Sequence, residues 1–158
     1  MARTFTTASS HSLSVTAVAV SAVPLTMAAW VKTSDITKAI NIIQIRAAFT
    51  DLFRLRLNTS GAPVAQSGQS SVFVTATASA ALSNNTWAHV AAVFASTTSR
   101  TAYLNGGNAG SDANASTPAG VTTTDMATGS DSGATLQIAL PAIWTAALSA
   151  GEIAALAA

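Results

Sequence analysis

The stretch from Asn85 to Asn108 constrains the fold more than any other part of the chain. Residues 87–94 alternate with period two, so Trp87, His89, Ala91 and Val93 share one face, and Ala88, Val90, Ala92 and Phe94 share the other. Apolar residues on both faces are typical of an inner strand. After a polar turn, residues 100–104 alternate again and end at Asn105-Gly106, a dipeptide that tolerates the positive φ angles of a tight hairpin. This stretch therefore predicts two antiparallel strands.

Further strands follow from the same alternation. We predict them at residues 3–7, 12–15, 25–32, 52–58, 71–78, 136–140 and 142–144. The clearest is 52–58, where Phe53, Leu55 and Leu57 point toward a core. The segment after Asp35 is ambiguous, since Asp35 is a good helix N-cap and isoleucines recur at helical spacing. We predict a strand at residues 39–45 instead, because β-branched residues are enriched there.

The last third of the sequence is mostly a polar connection. Residues 106–133 are rich in Gly, Asn, Asp, Ser and Thr, which predicts a long surface segment with at most one short strand. Near the end, Ser149 followed by Glu152 is a capping-box signature for a short helix whose apolar stripe is Ile153 and Leu156. About ten short strands and this helical turn predict an all-β protein, an antiparallel β-sandwich forming a single domain over residues 1–158.

Charge and composition exclude several classes of partner. Charged residues make up 8% of the 158 residues and the net charge is +1, so we predict no nucleic-acid partner. The apolar segment 13–30 is interrupted by Pro24 and follows a polar stretch, so we predict neither a cleaved signal peptide nor a membrane span. Cysteine is absent, which excludes disulfides and thiolate metal sites.

Residues for catalysis are few. Glycosidases on β-sandwiches need paired carboxylates, but the chain has a single Glu, and Glu152 is explained by the helix cap. The aspartates fall in predicted loops, at positions 35, 51, 112, 125 and 131. His11 also falls in a predicted loop, and His89 lies on the inner strand, where a packed or partly exposed histidine is commoner than a catalytic one. We therefore predict no catalytic residues and no enzyme activity.

Candidate binding residues have simpler structural explanations. Asp112, Asp125 and Asp131 offer oxygen ligands for calcium, but their spacing fits turns better, so we predict no metal and no cofactor. Four aromatic residues that could stack on a sugar are expected mainly to fill the core; they are Trp30, Trp87, Tyr103 and Trp144. Arg54 and Arg56 form a basic stripe that we expect to be solvated or in contact with a protein. No ligand-binding residue is assigned.

Several segments together resemble a known family. They are LTMAAWVK (25–32), FRLRLN (53–58), TWAHVA (86–91), YLNG (103–106), IW (143–144) and ALSAGEIAAL (147–156). In this order they resemble the laminin-G-like, concanavalin A-like jelly rolls. The resemblance covers nearly the whole chain and implies a jelly-roll β-sandwich.

The opening MARTF and the closing EIAALAA are similar to small proteins of this family from tailed bacteriophages. This narrower resemblance implies a virion structural protein assembled in the host cytoplasm, most simply a capsid decoration or cement protein, or else a tail-associated module. Its partners would be the major capsid protein or other virion proteins, with homo-oligomers on a repeating lattice. A surface poor in charge supports this expectation, because it is buried at low desolvation cost. The N-terminal strand and residues 106–133 are the expected contact regions.

The alternative is a carbohydrate-binding, lectin-like module of a phage tail or a bacterial surface protein, with a glycan as its partner. Binding of glycans would separate the two hypotheses, since the cement hypothesis predicts none.

Overall fold

In the part of the chain that the structure describes, the predicted alternation is realised as twelve β-strands and one helix. The structure is a computed structural model that describes residues 1–6, 11–48, 50–128 and 134–158. The strands are β1 Ala2–Thr6, β2 Leu13–Val15, β3 Leu25–Thr33, β4 Ile40–Ala48, β5 Asp51–Leu57, β6 Pro63–Gln69, β7 Val72–Thr77, β8 Ala88–Ser96, β9 Ser99–Leu104, β10 Gly107–Asp112, β11 Thr123–Met126 and β12 Thr135–Trp144, and the helix is α1 Ala150–Leu156. The predicted all-β class is confirmed, as is the strand after Asp35.

The strands form two six-stranded sheets. The first sheet has the order β1-β12-β3-β8-β9-β10, and the second has the order β2-β11-β4-β5-β6-β7. Every pairing described is antiparallel. Strand β8 has two neighbours in the first sheet, as its two apolar faces predict. The two sheets pack face to face as a jelly-roll-like sandwich.

One face of each sheet supplies the core between them. From the first sheet come Leu25 and Met27 of β3 and Phe94 of β8, and from the second come Phe53 and Leu55 of β5, all buried. The rings of Phe53 and Phe94 meet edge to face across the sandwich, with centroids 5.3 Å apart. The alternation read from the sequence therefore identifies the inward residues of β3, β5 and β8.

The expectation that Trp87 fills the core is wrong. Phe94 is 1% exposed, whereas Trp87 is 37% exposed. The two residues are seven positions apart on an alternating segment, so they lie on opposite faces of the sheet. Phe94 faces the second sheet and Trp87 faces outward.

Strand β6 was not predicted, and one predicted connection is more ordered than expected. Strand β6, with the sequence PVAQSGQ, lacks the large alternating apolar residues that mark a strand. The segment 106–133, expected as a surface connection, contributes both β10 and β11. Strand β11 lies between β2 and β4 in the second sheet, so part of that segment is an inner strand of the sheet and not a surface connection.

The C-terminal helix forms as the capping box predicts. The side chain of Ser149 accepts from the backbone N–H of Glu152, and the Glu152 carboxylate accepts from the backbone N–H of Ser149 at 2.7 Å. The Ser149 backbone N–H and hydroxyl both donate to this carboxylate and hold the pKa of Glu152 below its ordinary value. The predicted Asn105-Gly106 turn also forms, with φ of 50° and 73°. A Cβ at Gly106 would lie 2.9 Å from Ala154 Cα, so this turn packs closely against α1.

Candidate functional site

The outer face of the first sheet is divided into a covered half and an open half. Helix α1 covers one half, where Ile153 packs against Ala28, Ala91 and Val93. Tyr103, Trp144 and Leu148 pack against the same cluster. Two of the four aromatic residues considered for sugar stacking, Tyr103 and Trp144, therefore support the helix.

The other two aromatic residues lie together on the open half. Trp30 of β3 is directly opposite His89 of β8, and their ring centroids are 5.7 Å apart in an edge-to-face arrangement. Trp87 immediately precedes β8 on the same face, with the Lys32 ammonium 5.9 Å from its ring centroid. Gln137 of β12 is directly opposite Lys32. We call these five residues the Trp87 surface.

A polar cavity adjoins this surface at the end of β3. Its volume is about 220 Å³, and its lining residues are Lys32, Thr33, Ser34, Asn85, Thr135 and Gln137. The backbone N–H of Asn85 donates to the Thr33 carbonyl at 2.8 Å, which fixes the loop that carries Trp87 against β3. An exposed ring beside amide, hydroxyl and ammonium groups can hold a ligand that has one apolar face and polar edges.

His89 is a buried component of this surface. It is 3% exposed, and burial lowers its pKa below the ordinary value. Its Nδ1 has no hydrogen-bond partner in the described part of the chain. The arrangement lacks the hydrogen bond that orients the histidine of a Ser-His-Asp site, so it gives no support to nucleophilic catalysis. His11 lies outside the strands and is exposed, as predicted.

The outer face of the second sheet carries a polar row that crosses all six strands. Its members are directly opposite one another in register, in the order Ser14, Asp125, Gln44, Arg54, Gln66 and Thr75. Asp125 Oδ2 accepts from Gln44 Nε2 at 2.9 Å and from Arg46 Nε at 2.5 Å. Sequence reasoning missed this row, because it depends on pairing between residues far apart in the chain.

Asp125 is the buried carboxylate of that row. Burial acts to raise its pKa, but hydrogen bonds from Ser14, Arg46 and Gln44, together with the charge of Arg46, outweigh burial and leave the pKa lowered. Asp125 is therefore a charged structural partner of Arg46.

Asp35 lies in a loop as predicted, whereas three of the other aspartates lie in strands. Asp51 is the first residue of β5, and Asp112 is the last residue of β10. Asp125 lies within β11. Asp112 pairs with Arg100, and Asp125 with Arg46, on different sheets. Asp131, the third residue considered for calcium, lies outside the described residues. Within the described ranges, no group of three or more His, Cys, Asp or Glu side chains is arranged to hold a metal ion.

The described residues also include no helix of the length and apolar character needed to cross a membrane.

The fold is shared with several solved structures. One is the botulinum neurotoxin serotype D ligand binding domain in complex with N-acetylneuraminic acid, with a TM-score of 0.70, 17% identity, and coverage of 92% of this chain and 39% of that one. The botulinum neurotoxin type G receptor binding domain has a TM-score of 0.67 at 12% identity, covering 85% of this chain and 37% of that one. The chain thus spans under two fifths of the length of these toxin domains.

A third structure is the native heptameric SAP-like pentraxin from Limulus polyphemus. Its TM-score is 0.65 at 14% identity, and the alignment covers 87% of this chain and 73% of the pentraxin chain. At these identities the likeness concerns the fold alone. A search of curated protein sequences finds no significant match.

The family comparison covers almost the whole sequence. Residues 6–154 match the laminin G-type profile described as the Concanavalin A-like lectin/glucanases superfamily. Neither this match nor the solved structures named above point to phage virion proteins in particular. The chain belongs to the Concanavalin A-like lectin/glucanases superfamily.

Proposed function

We propose that this chain is a non-enzymatic carbohydrate-binding module that holds a sugar ring on the Trp87 surface. The observation that carries the proposal is the 37% exposure of Trp87, next to Lys32 and a polar cavity. A pyranose ring has a face of C–H groups that packs on an aromatic ring, and hydroxyl groups at its edge that need hydrogen-bond partners. Asn85, Thr135 and Gln137 offer such partners at the cavity.

The proteins of similar structure support a ligand-binding function for this chain. Two of them are a ligand binding domain in complex with N-acetylneuraminic acid and a receptor binding domain. No carboxylate pair is evident among the residues that the structure describes, since Glu152 caps α1, and Asp112 and Asp125 each bind an arginine; this supports a module without hydrolytic activity.

A glycan array with the wild-type protein and Trp87→Ala tests the proposal. We expect wild-type binding to be lost or weakened at least about tenfold in Trp87→Ala, because a central aromatic contact typically contributes about 2 kcal/mol or more. Leu156→Ala is a matched control, since Leu156 is 38% exposed but lies on α1. Running the array with and without calcium should give the same result. If Trp87→Ala binds every recovered glycan as the wild type does, the Trp87 surface is not the site.

The second candidate function is a virion structural role, and the low charge of the chain favours it. With 8% charged residues, the exterior can be buried against neighbouring subunits at low desolvation cost. Its partners would be the major capsid protein or further copies of this chain. Fractionation of purified particles tests this candidate, and recovery of the chain only in the free-protein fraction would contradict it.

A further inference from the structure

The half-buried Arg54 and the exposed Phe73 form a platform on the second sheet, away from the Trp87 surface. The Arg54 guanidinium carbon lies 5.5 Å from the Phe73 ring centroid, and Arg54 Nε donates to Gln66 Oε1 at 2.5 Å. Phe73 remains 42% exposed. We call Arg54, Gln66, Gly68 and Phe73 the Arg54 surface.

Gly68 explains why the Phe73 ring can lie across the sheet. Gly68 is directly opposite Phe73 on the neighbouring strand. A Cβ at position 68 would lie 2.6 Å from Phe73 Cε1, which is closer than real contacts allow. The glycine therefore leaves space for the ring to lie over β6 and reach Arg54 on β5.

The charge of Arg54 is not neutralised by the described residues around it. Its hydrogen bond to Gln66 uses Nε, and neither Nη group has a hydrogen-bond partner in the described part of the chain. The carboxylate of the polar row, Asp125, is already bound by Arg46 and Gln44. Burial, followed by the charge of Arg56, lowers the pKa of Arg54 to about 10. An anion near Arg54 would offset both the loss of solvation and the repulsion from Arg56.

A cavity at the β7 edge of this sheet, lined by Phe73 but not by Arg54, has room for a ring-shaped ligand. Its volume is about 470 Å³, within the range of small-molecule sites, and Phe73, Thr75, Asp112 and Asn114 are among its lining residues. The carboxylate of Asp112 is paired with Arg100, so it does not oppose an incoming anion as a free charge would.

We propose that the Arg54 surface is a second binding site, specific for the carboxylate of an acidic sugar. The two Nη groups bind the two carboxylate oxygens, and the apolar face of the sugar ring covers the exposed part of Phe73. The hydroxyl of Thr75 and the amide of Asn114 bind the sugar hydroxyls. This site shares with the proposed function only the premise that the ligand is a saccharide.

Titration calorimetry with trigalacturonate and its methyl ester tests the proposal. Both compounds have the same rings, but the ester lacks the negative charges. We expect the wild type to bind the acid at least about tenfold more tightly than the ester, since a charge-assisted bidentate contact contributes about 1.5–3 kcal/mol. Arg54→Gln should abolish this preference. Arg54→Lys should restore part of it, because an ammonium group keeps the charge but loses the bidentate geometry.

Arg3→Gln is the matched control. Arg3 is also an arginine near a phenylalanine ring, 5.6 Å from the centroid of Phe5, but it lies on the first sheet. Arg3→Gln removes the same charge as Arg54→Gln and should leave the preference for the acid over the ester unchanged. Gly68→Ala should weaken binding of both compounds, because the Phe73 ring can no longer lie flat. Far-UV circular dichroism and thermal unfolding establish that each variant is folded.

The outcomes separate the two proposals. Equal affinity of the wild type for acid and ester, or a preference that survives in Arg54→Gln, overturns the Arg54 site. A preference for the acid that persists in Trp87→Ala supports it, even if the array shows no glycan at the Trp87 surface. Conversely, glycan binding that depends on Trp87 without any acid preference leaves the proposed function intact and rejects the Arg54 site.

Discussion

The ion pair between Arg100 and Asp112 gives the sharpest stability prediction. The Arg100 side chain is 1% exposed, and its Nη1 pairs with Asp112 Oδ1. Its Nη2 donates to the Thr97 carbonyl at 3.1 Å, and its Nε has no partner in the described ranges. Asp112→Ala would therefore leave a buried guanidinium with a single described acceptor.

Removing one partner of a buried ion pair typically costs about 3–5 kcal/mol. Asp112 is 17% exposed, so water can partly replace its carboxylate, and we expect the lower end of the range, about 3 kcal/mol. For a domain of this size, that loss corresponds to a decrease in Tm of about 6–12 °C. Because the pair is buried, the loss should change little between low and high salt.

Urea unfolding followed by tryptophan fluorescence measures the effect. The double variant Arg100→Met/Asp112→Ala should recover most of the stability, because replacing both charges by apolar groups is often nearly neutral. Asp51→Ala is the control: Asp51 binds Thr50 and Ser70 only through hydrogen bonds of 3.1 and 3.4 Å, so it should lose less than about 1 kcal/mol. A loss below about 1 kcal/mol in Asp112→Ala, or one that disappears in salt, would refute the reasoning.

Two further predictions concern His89 and the helix cap. Burial lowers the pKa of His89 in the folded state, so the stability from the neutral ring is fully present above about pH 6.5 and falls as the pH decreases toward the folded-state pKa. His89→Phe should reduce the loss of stability between about pH 7 and pH 5 in urea unfolding, and an unchanged loss would contradict this. Ser149→Ala should destabilise the protein by about 1 kcal/mol through loss of the N-cap, whereas Glu152→Gln, which keeps a capping-box acceptor, should cost less.

Local patterns were enough to predict the class of fold and much of its core. Phe53, Leu55 and Leu57 were predicted to point inward, and all three are buried. The Asn105-Gly106 turn and the Ser149 cap were also predicted, because each depends on residues within a few positions of one another. Strand β6 was missed because its small and polar residues give no period-two signal of their own.

The location of the candidate sites depended on information that is not local. Alternation placed Trp87 and Phe94 on opposite faces but did not tell which face meets the other sheet. Likewise, Gln44 and Asp125 are 81 positions apart and become neighbours only through the pairing of β4 with β11.

The sequence by itself determined most of the strands, the hairpin turn and the capped helix, because backbone preferences and side-chain alternation act over a few residues. Only the tertiary structure decided that α1 covers half of an outer face and leaves Trp87 exposed, and that Gly68 allows Phe73 to reach Arg54. These arrangements depend on strand order and register, which are set by packing between segments distant in the chain.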